Sequence, residues 1–149
     1  MLTFEESRKL YESHVMNRRL RLKQLLNAYK GNHDILRKAN RKGKKDAKIV
    51  HNFPRYISTI VTGYTGNVNY TKMEDVQDLS DIFSFNSEAS VNSDHLLFMS
   101  IYGESYELQW LDEQGNYCFE AVDPMNVMVI TDGKIRESVT DAIVFDEDD

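Results

Sequence analysis

The chain reads as an α+β protein: a long N-terminal helix, further helices, and then an antiparallel β-meander. Three observations predict this. Apolar residues recur at helical spacing as far as Tyr102, and the period switches to two directly after Gly103. The alternating segments that follow are short and separated by turn chemistry, at Asp112-Glu113-Gln114-Gly115-Asn116, Asp123-Pro124 and Asp132-Gly133. Helices first and strands afterwards favour α+β over an alternating βαβ arrangement.

The first helix is expected from about Phe4 to Lys30, roughly 40 Å at 1.5 Å per residue. Thr3 and Glu6 have capping-box spacing, and Gly31 is a natural stop. Tyr11, Val15, Leu22, Leu26 and Tyr29 share one stripe, with Leu25 beside it, while the other faces are charged. Such a helix should lie across a surface rather than be enclosed. Tyr11, Val15, Leu22 and Leu26 are expected to be open in the isolated chain. Residues 31–48 form a polar, basic loop, with a short helix expected near Asp34–Ala39 in which Asp34 caps and Ile35 and Leu36 pack.

Pro54 suits a first helical turn, with Asn52 or Phe53 at the cap, and Ile57, Ile60, Val61 and Tyr64 then predict a buried face. Asn67–Tyr70 should be extended. Asp75–Phe85 reads as an acidic amphipathic helix with Val76, Leu79, Ile82 and Phe83 inward. The next helix, about Glu88 to Tyr102, places Val91, His95, Phe98 and Ile101 or Tyr102 inward. Strands are expected after Gly103, with Tyr106, Leu108 and Trp110 on one side, then at Tyr117–Val122, Asn126–Thr131 and Val139–Phe145.

A chain of 149 residues can bury about 70% of the surface that it exposes when unfolded, which is enough for one core. The expected division is a basic helix and loop, 1–48, leading into an α+β region, 49–149, as one structural unit. Cys118 is the only cysteine, which rules out an internal disulfide and a cysteine-built metal site. No signal-peptide layout or membrane-length apolar run is present, so a soluble protein made in a reducing cytoplasm is expected.

Charge is strongly polarised. Residues 1–48 carry fourteen basic and five acidic side chains, net +9, and the remainder carries four basic and nineteen acidic, net −15. That separation suits contact between the positive part of one copy and the negative part of another, or contact with nucleic acid. The candidate contact residues are Arg37, Lys38, Arg41, Lys42, Lys44, Lys45 and Lys48. Aromatics are not interleaved with them, which argues against a base-stacking platform.

Nothing resembles a catalytic, cofactor or metal site. His14, His33, His51 and His95 have no partner at i, i+4 and no neighbouring cysteine, and His95 reads as a hydrogen-bonded core histidine. Ser105 sits in half of a nucleophile-elbow pattern, but the second glycine is missing and the order is helix-to-strand. Gly63, Gly66 and Gly103 precede no Gly-Lys-Ser/Thr, and Asp146–Asp149 reads as a solvated tail.

Four blocks carry a resemblance. They are Tyr29–Leu36, Lys48–Ile57, Ser100–Glu107, and Val122-Asp123-Pro124 with the strand after it. In this order, over about residues 20–143, they resemble the portal proteins of tailed bacteriophages, the head-to-tail connectors of the capsid. The Thr65-Gly66-Asn67-Val68 turn departs from the pattern by lacking a proline. The resemblance implies a structural, non-enzymatic virion subunit, assembled in the host cytoplasm. It would act in a cyclic homo-oligomer, a dodecamer when full length, that closes through head-to-tail contacts. Double-stranded DNA would pass through the ring during packaging and ejection, with no cofactor and no membrane. It further implies that only the N-terminal, wing-like part of a longer subunit is matched, and that terminase and head-completion proteins meet regions beyond Asp149. The alternative, resting on the +9 segment, is a small nucleic-acid-binding module with a basic N-terminal arm.

Overall fold

The computed structural model describes residues 3–39, 43, 48–65, 77–133 and 139–145. Among these residues the architecture is α+β, with a long N-terminal helical rod, three further α-helices, and antiparallel strands in two hairpin sheets. The rod is α1 (Phe4–His14), a π turn (Val15–Arg19) and α2 (Leu20–Lys30). Its start is the expected capping box: the Thr3 hydroxyl accepts from the Glu6 N–H, and the Glu6 carboxylate accepts from the Thr3 N–H at 2.9 Å. Its end is Gly31 at φ +79°, where the Gly31 and Asn32 N–H groups close back on Ala28 and Asn27.

The π turn divides the rod into two working faces. On α1, the Tyr11 and His14 rings meet the Phe145 ring at near right angles, with centroids 5.3 and 5.9 Å away, so this half is held by the residue that follows the last strand. The α2 half lies against α3 (Phe53–Thr65) and α5 (Glu88–Tyr102), and Leu22 is buried there. The expectation that Leu22 would be open therefore fails: α2 has neighbours inside this chain. Val15 and Leu26 are half-buried, and Tyr11 is at the margin of exposure.

After Gly31 the short helix is a single 3-10 turn, Asp34–Leu36, without a side-chain cap. Ile35 and Leu36 are exposed rather than packed. Asn52 caps α3, its side-chain oxygen accepting from the Arg55 N–H at 3.1 Å. Its amide donates to the Tyr29 carbonyl at 2.8 Å, tying the end of α2 to the start of α3.

The face that α3 turns inward is the opposite of the one expected. Ser58 is 4% exposed and its hydroxyl accepts a 2.9 Å hydrogen bond from Ser100 of α5, while Ile57, Ile60, Val61 and Tyr64 are all exposed. Small hydroxyl-bearing residues let the two helix backbones approach closely, and bulky side chains on that face would hold them apart. The Asn67–Tyr70 segment lies outside the described residues.

α4 (Gln77–Phe85) and α5 meet at a corner where Ser87 has φ +52°. Asn86 fixes that corner: its amide donates to the carbonyls of Ile82 (2.8 Å) and Tyr117 (2.9 Å), and its oxygen accepts from the Phe119 N–H at 2.9 Å. Ile82 and Phe83 turn inward, Phe83 meeting Phe119 edge-on, but Leu79 is exposed, and Val76 lies outside the described residues. On α5, Val91 and Tyr102 are buried and His95, Phe98 and Ile101 half-buried, as the periodicity predicts.

Gly103, at φ +79°, ends α5. β1 (Tyr106–Leu111) and β2 (Tyr117–Val122) pair from Tyr106↔Val122 to Leu111↔Tyr117. β3 (Val127–Thr131) and β4 (Val139–Val144) pair from Val127↔Val144 to Thr131↔Val139, with an irregularity at Ile130/Thr131. The consecutive antiparallel pairs are those expected, but they form two sheets. Between β2 and β3 the Asp123 carboxylate accepts from the Met125 N–H and caps a 3-10 turn, Pro124–Asn126, which redirects the chain. The core runs along this junction: Pro124 is fully buried, with Cys118, Val127 and Met128 nearly so.

Candidate functional site

The basic segment named from the sequence is partly visible. Arg37 and Lys38 are exposed, and Lys48 is half-buried with its ammonium folded back onto the main chain, donating to the carbonyls of Leu36 and Lys38. Arg41, Lys42, Lys44 and Lys45 lie outside the described residues. Arg37 also lines an open groove of about 720 Å³ with Lys23, Gln24, Asn27, His33 and Asp34. Arg37, Lys38 and Lys48 are therefore set around the 3-10 turn, and Lys48 already serves to close the loop.

Periodicity gave no sign of the polar node at the π turn. Arg18 projects from that turn and donates to the Glu104 carboxylate and, at 2.6 Å, to the Tyr106 hydroxyl. One side chain thereby joins the rod to the residues that begin β1. Burial raises the Tyr106 hydroxyl above the ordinary phenol range, while the Arg18 charge pulls it back. One turn earlier His14 is buried, and its Nε2 has no hydrogen-bond partner among the described residues. Burial lowers its pKa from the ordinary 6.5, and the Arg18 and Arg19 charges lower it further. Two basic residues four and five positions after His14, Arg18 and Arg19, are the only hint the sequence offered.

His95 bridges α5 to β1, with Nδ1 2.5 Å from the Ser105 hydroxyl and Nε2 3.3 Å from a Glu107 oxygen. A serine, a histidine and a carboxylate within reach of each other invite comparison with a hydrolytic triad. Here Ser105 and Glu107 lie two residues apart in the chain, and each takes a different nitrogen of the His95 ring. The arrangement anchors a helix to a strand, as expected for a hydrogen-bonded core histidine. No group of three or more His, Cys, Asp or Glu able to hold a metal ion exists among the described residues. Among them, too, no helix is long and apolar enough to cross a membrane.

The surface features are larger than any of these clusters. The outward stripe of α3 presents Phe53, Tyr56, Ile57, Ile60 and Tyr64, the last 90% exposed. The β1–β2 hairpin presents Leu111 and Tyr117 beside a loop held rigid by Asp112. That carboxylate accepts from the N–H groups of Gln114 (2.9 Å) and Asn116 (2.7 Å) and from the Asn116 amide (2.8 Å). The bonds from Asn116 are what hold it below the usual carboxylate range.

The family model described as phage portal protein, SPP1 Gp6-like, matches residues 8–149. No curated protein matches the chain.

Proposed function

The chain belongs to the SPP1 Gp6-like phage portal protein family, a structural family of the capsid, and from that premise we propose that it is a wedge of the portal ring. In this reading the ring forms the DNA-passage vertex, supports packaging and ejection, and assembles in the host cytoplasm as a cyclic homo-oligomer. The chain hydrolyses nothing, and a separate motor drives the DNA. Terminase and head-completion proteins meet the assembled ring. The observation that carries the reading is the family match over residues 8–149. The charge polarity supports it, because a +9 segment and a −15 remainder suit contacts between unlike faces of neighbouring copies. The segment Arg37–Lys48 then serves as a subunit contact, and residues 1–48 and 49–149 act as one unit.

Native mass spectrometry and electron microscopy of the protein, with any coding sequence that follows Asp149 included, test this reading. Rings of about a dozen copies are expected, since heterologous contacts that close on rotation give one discrete size. A species that stays monomeric at high concentration and low salt overturns the reading. The nucleic-acid alternative rests on the basic segment, and DNA titration at two salt concentrations separates it, since phosphate neutralisation gives a steep salt dependence.

A further inference from the structure

α3 is built inside out. Its small polar residues Ser58 and Thr62 turn towards the body of the protein, while Phe53, Tyr56, Ile57, Ile60 and Tyr64 face solvent at 50–90% exposure. With about 200 Å² for a large apolar side chain, and Val61 at the margin included, roughly 700 Å² of apolar surface stands open. That exceeds the largest patch of a typical monomer and is close to one partner's share of a standard interface, about 800 Å².

The surroundings select the occupant. Among the described residues of the stretch that leads into the stripe, 31–56, Arg37, Lys38, Lys48 and Arg55 are basic and Asp34 is acidic, net +3. The surface that complements it lies on the same chain, at the β1–β2 hairpin. Residues 106–122 hold Glu107, Asp112, Glu113 and Glu120 and no lysine or arginine. The tip adds Leu111, 68% exposed, paired across the strands with Tyr117. Asp112 pre-organises the loop, so little chain entropy is lost when the tip docks. The basic-flanked stripe and the acid-tipped hairpin are different surfaces, so their contact is heterologous and propagates from copy to copy.

We propose that a second copy of this chain docks its β1–β2 hairpin tip, centred on Leu111 and Tyr117, onto the outward face of α3. This names the contact within the ring reading and rests on that reading. The apolar stripe supplies the affinity. The unlike charges set direction and disfavour stripe-to-stripe pairing, which would bring two basic segments together.

The test uses two single variants of the chain, Tyr64→Cys and Leu111→Cys, and a short bismaleimide; the unmodified chain, whose only cysteine is the buried Cys118, is the control. Cross-linked dimer is expected when the two variants are mixed and not when either is treated alone. Ile60→Asp should weaken self-association at least about tenfold, with an unchanged circular dichroism spectrum. Cross-linking of Tyr64→Cys alone shows an isologous stripe contact and overturns the proposal. So does a mixture that self-associates without cross-linking, and so does a chain that remains monomeric. Rings that form while Tyr64 and Leu111 stay unlinked remove this contact and leave the portal reading standing; failure of any ring to form removes the reading beneath it.

Discussion

Replacing Asn52 with alanine should loosen the joint that aims α3. The side chain makes two bonds of different kinds: its oxygen caps α3 at the Arg55 N–H, and its amide satisfies the Tyr29 carbonyl at the end of α2. Loss of a helix cap typically costs about 1 kcal/mol. A half-buried carbonyl deprived of its donor costs about 1 kcal/mol more. Asn52→Ala should therefore destabilise the fold by about 2 kcal/mol, the two bonds being independent in geometry. Asn52→Ser keeps a cap acceptor but is too short to reach Tyr29, so it should recover about half. Urea unfolding followed by far-ultraviolet circular dichroism gives both values, provided the denaturant slope is unchanged. A loss under about 0.5 kcal/mol for Asn52→Ala would place it among ordinary surface substitutions and refute the joint. So would a serine variant no better than alanine, because the cap would then contribute nothing.

Two further outcomes follow from the π turn. Arg18→Met strands the Glu104 carboxylate at the start of β1; the pair is partly solvated, so about 1–2 kcal/mol should be lost, less than a fully buried pair would give. Adding Glu104→Gln should restore part of it, and a thermal-denaturation double-mutant cycle without coupling would contradict the bridge. His14 supplies a pH dependence: its folded pKa is below the ordinary 6.5, so the unfolded chain binds more protons there, and stability should fall as pH drops below about 6.5. His14→Phe should flatten that slope in denaturation curves taken across the range, and an unchanged slope would assign it to other groups.

Much of the fold was legible because local chemistry and tertiary structure agree. Thr3 with Glu6, Gly31, Asn52, Gly103 and Asp123-Pro124 all act where the sequence places them, and the switch of period after Tyr102 marks the change from helix to strand. The π turn was not legible, since one extra residue in a turn alters which face points where without altering side-chain type. Nor was the split into two sheets. Alternation specifies that a strand has two faces, but the partner at its edge depends on how the Asp123 turn redirects the chain. Of the seven candidate contact cations, three are described, and their exposure or backbone bonding follows from a segment too polar to pack.

The inverted α3 shows why a hydrophobic stripe was misread. Periodicity reports that Ile57, Ile60 and Tyr64 share a face and that water disfavours it; it does not report which surface covers that face. Within this chain the competition is decided by distance. Ser58 and Ser100 allow α3 to approach α5 closely enough for a 2.9 Å hydroxyl contact, which isoleucine and tyrosine at the same height would prevent. The stripe is then left for a partner, and a partner that binds only the folded chain stabilises it by mass action. Assembly and folding become linked: a copy in a ring should resist denaturant better than a free copy, and chain concentration should shift the unfolding midpoint. Ile60→Asp should remove that concentration dependence while leaving the dilute-limit midpoint almost unchanged, because the substituted side chain is half exposed before any partner arrives.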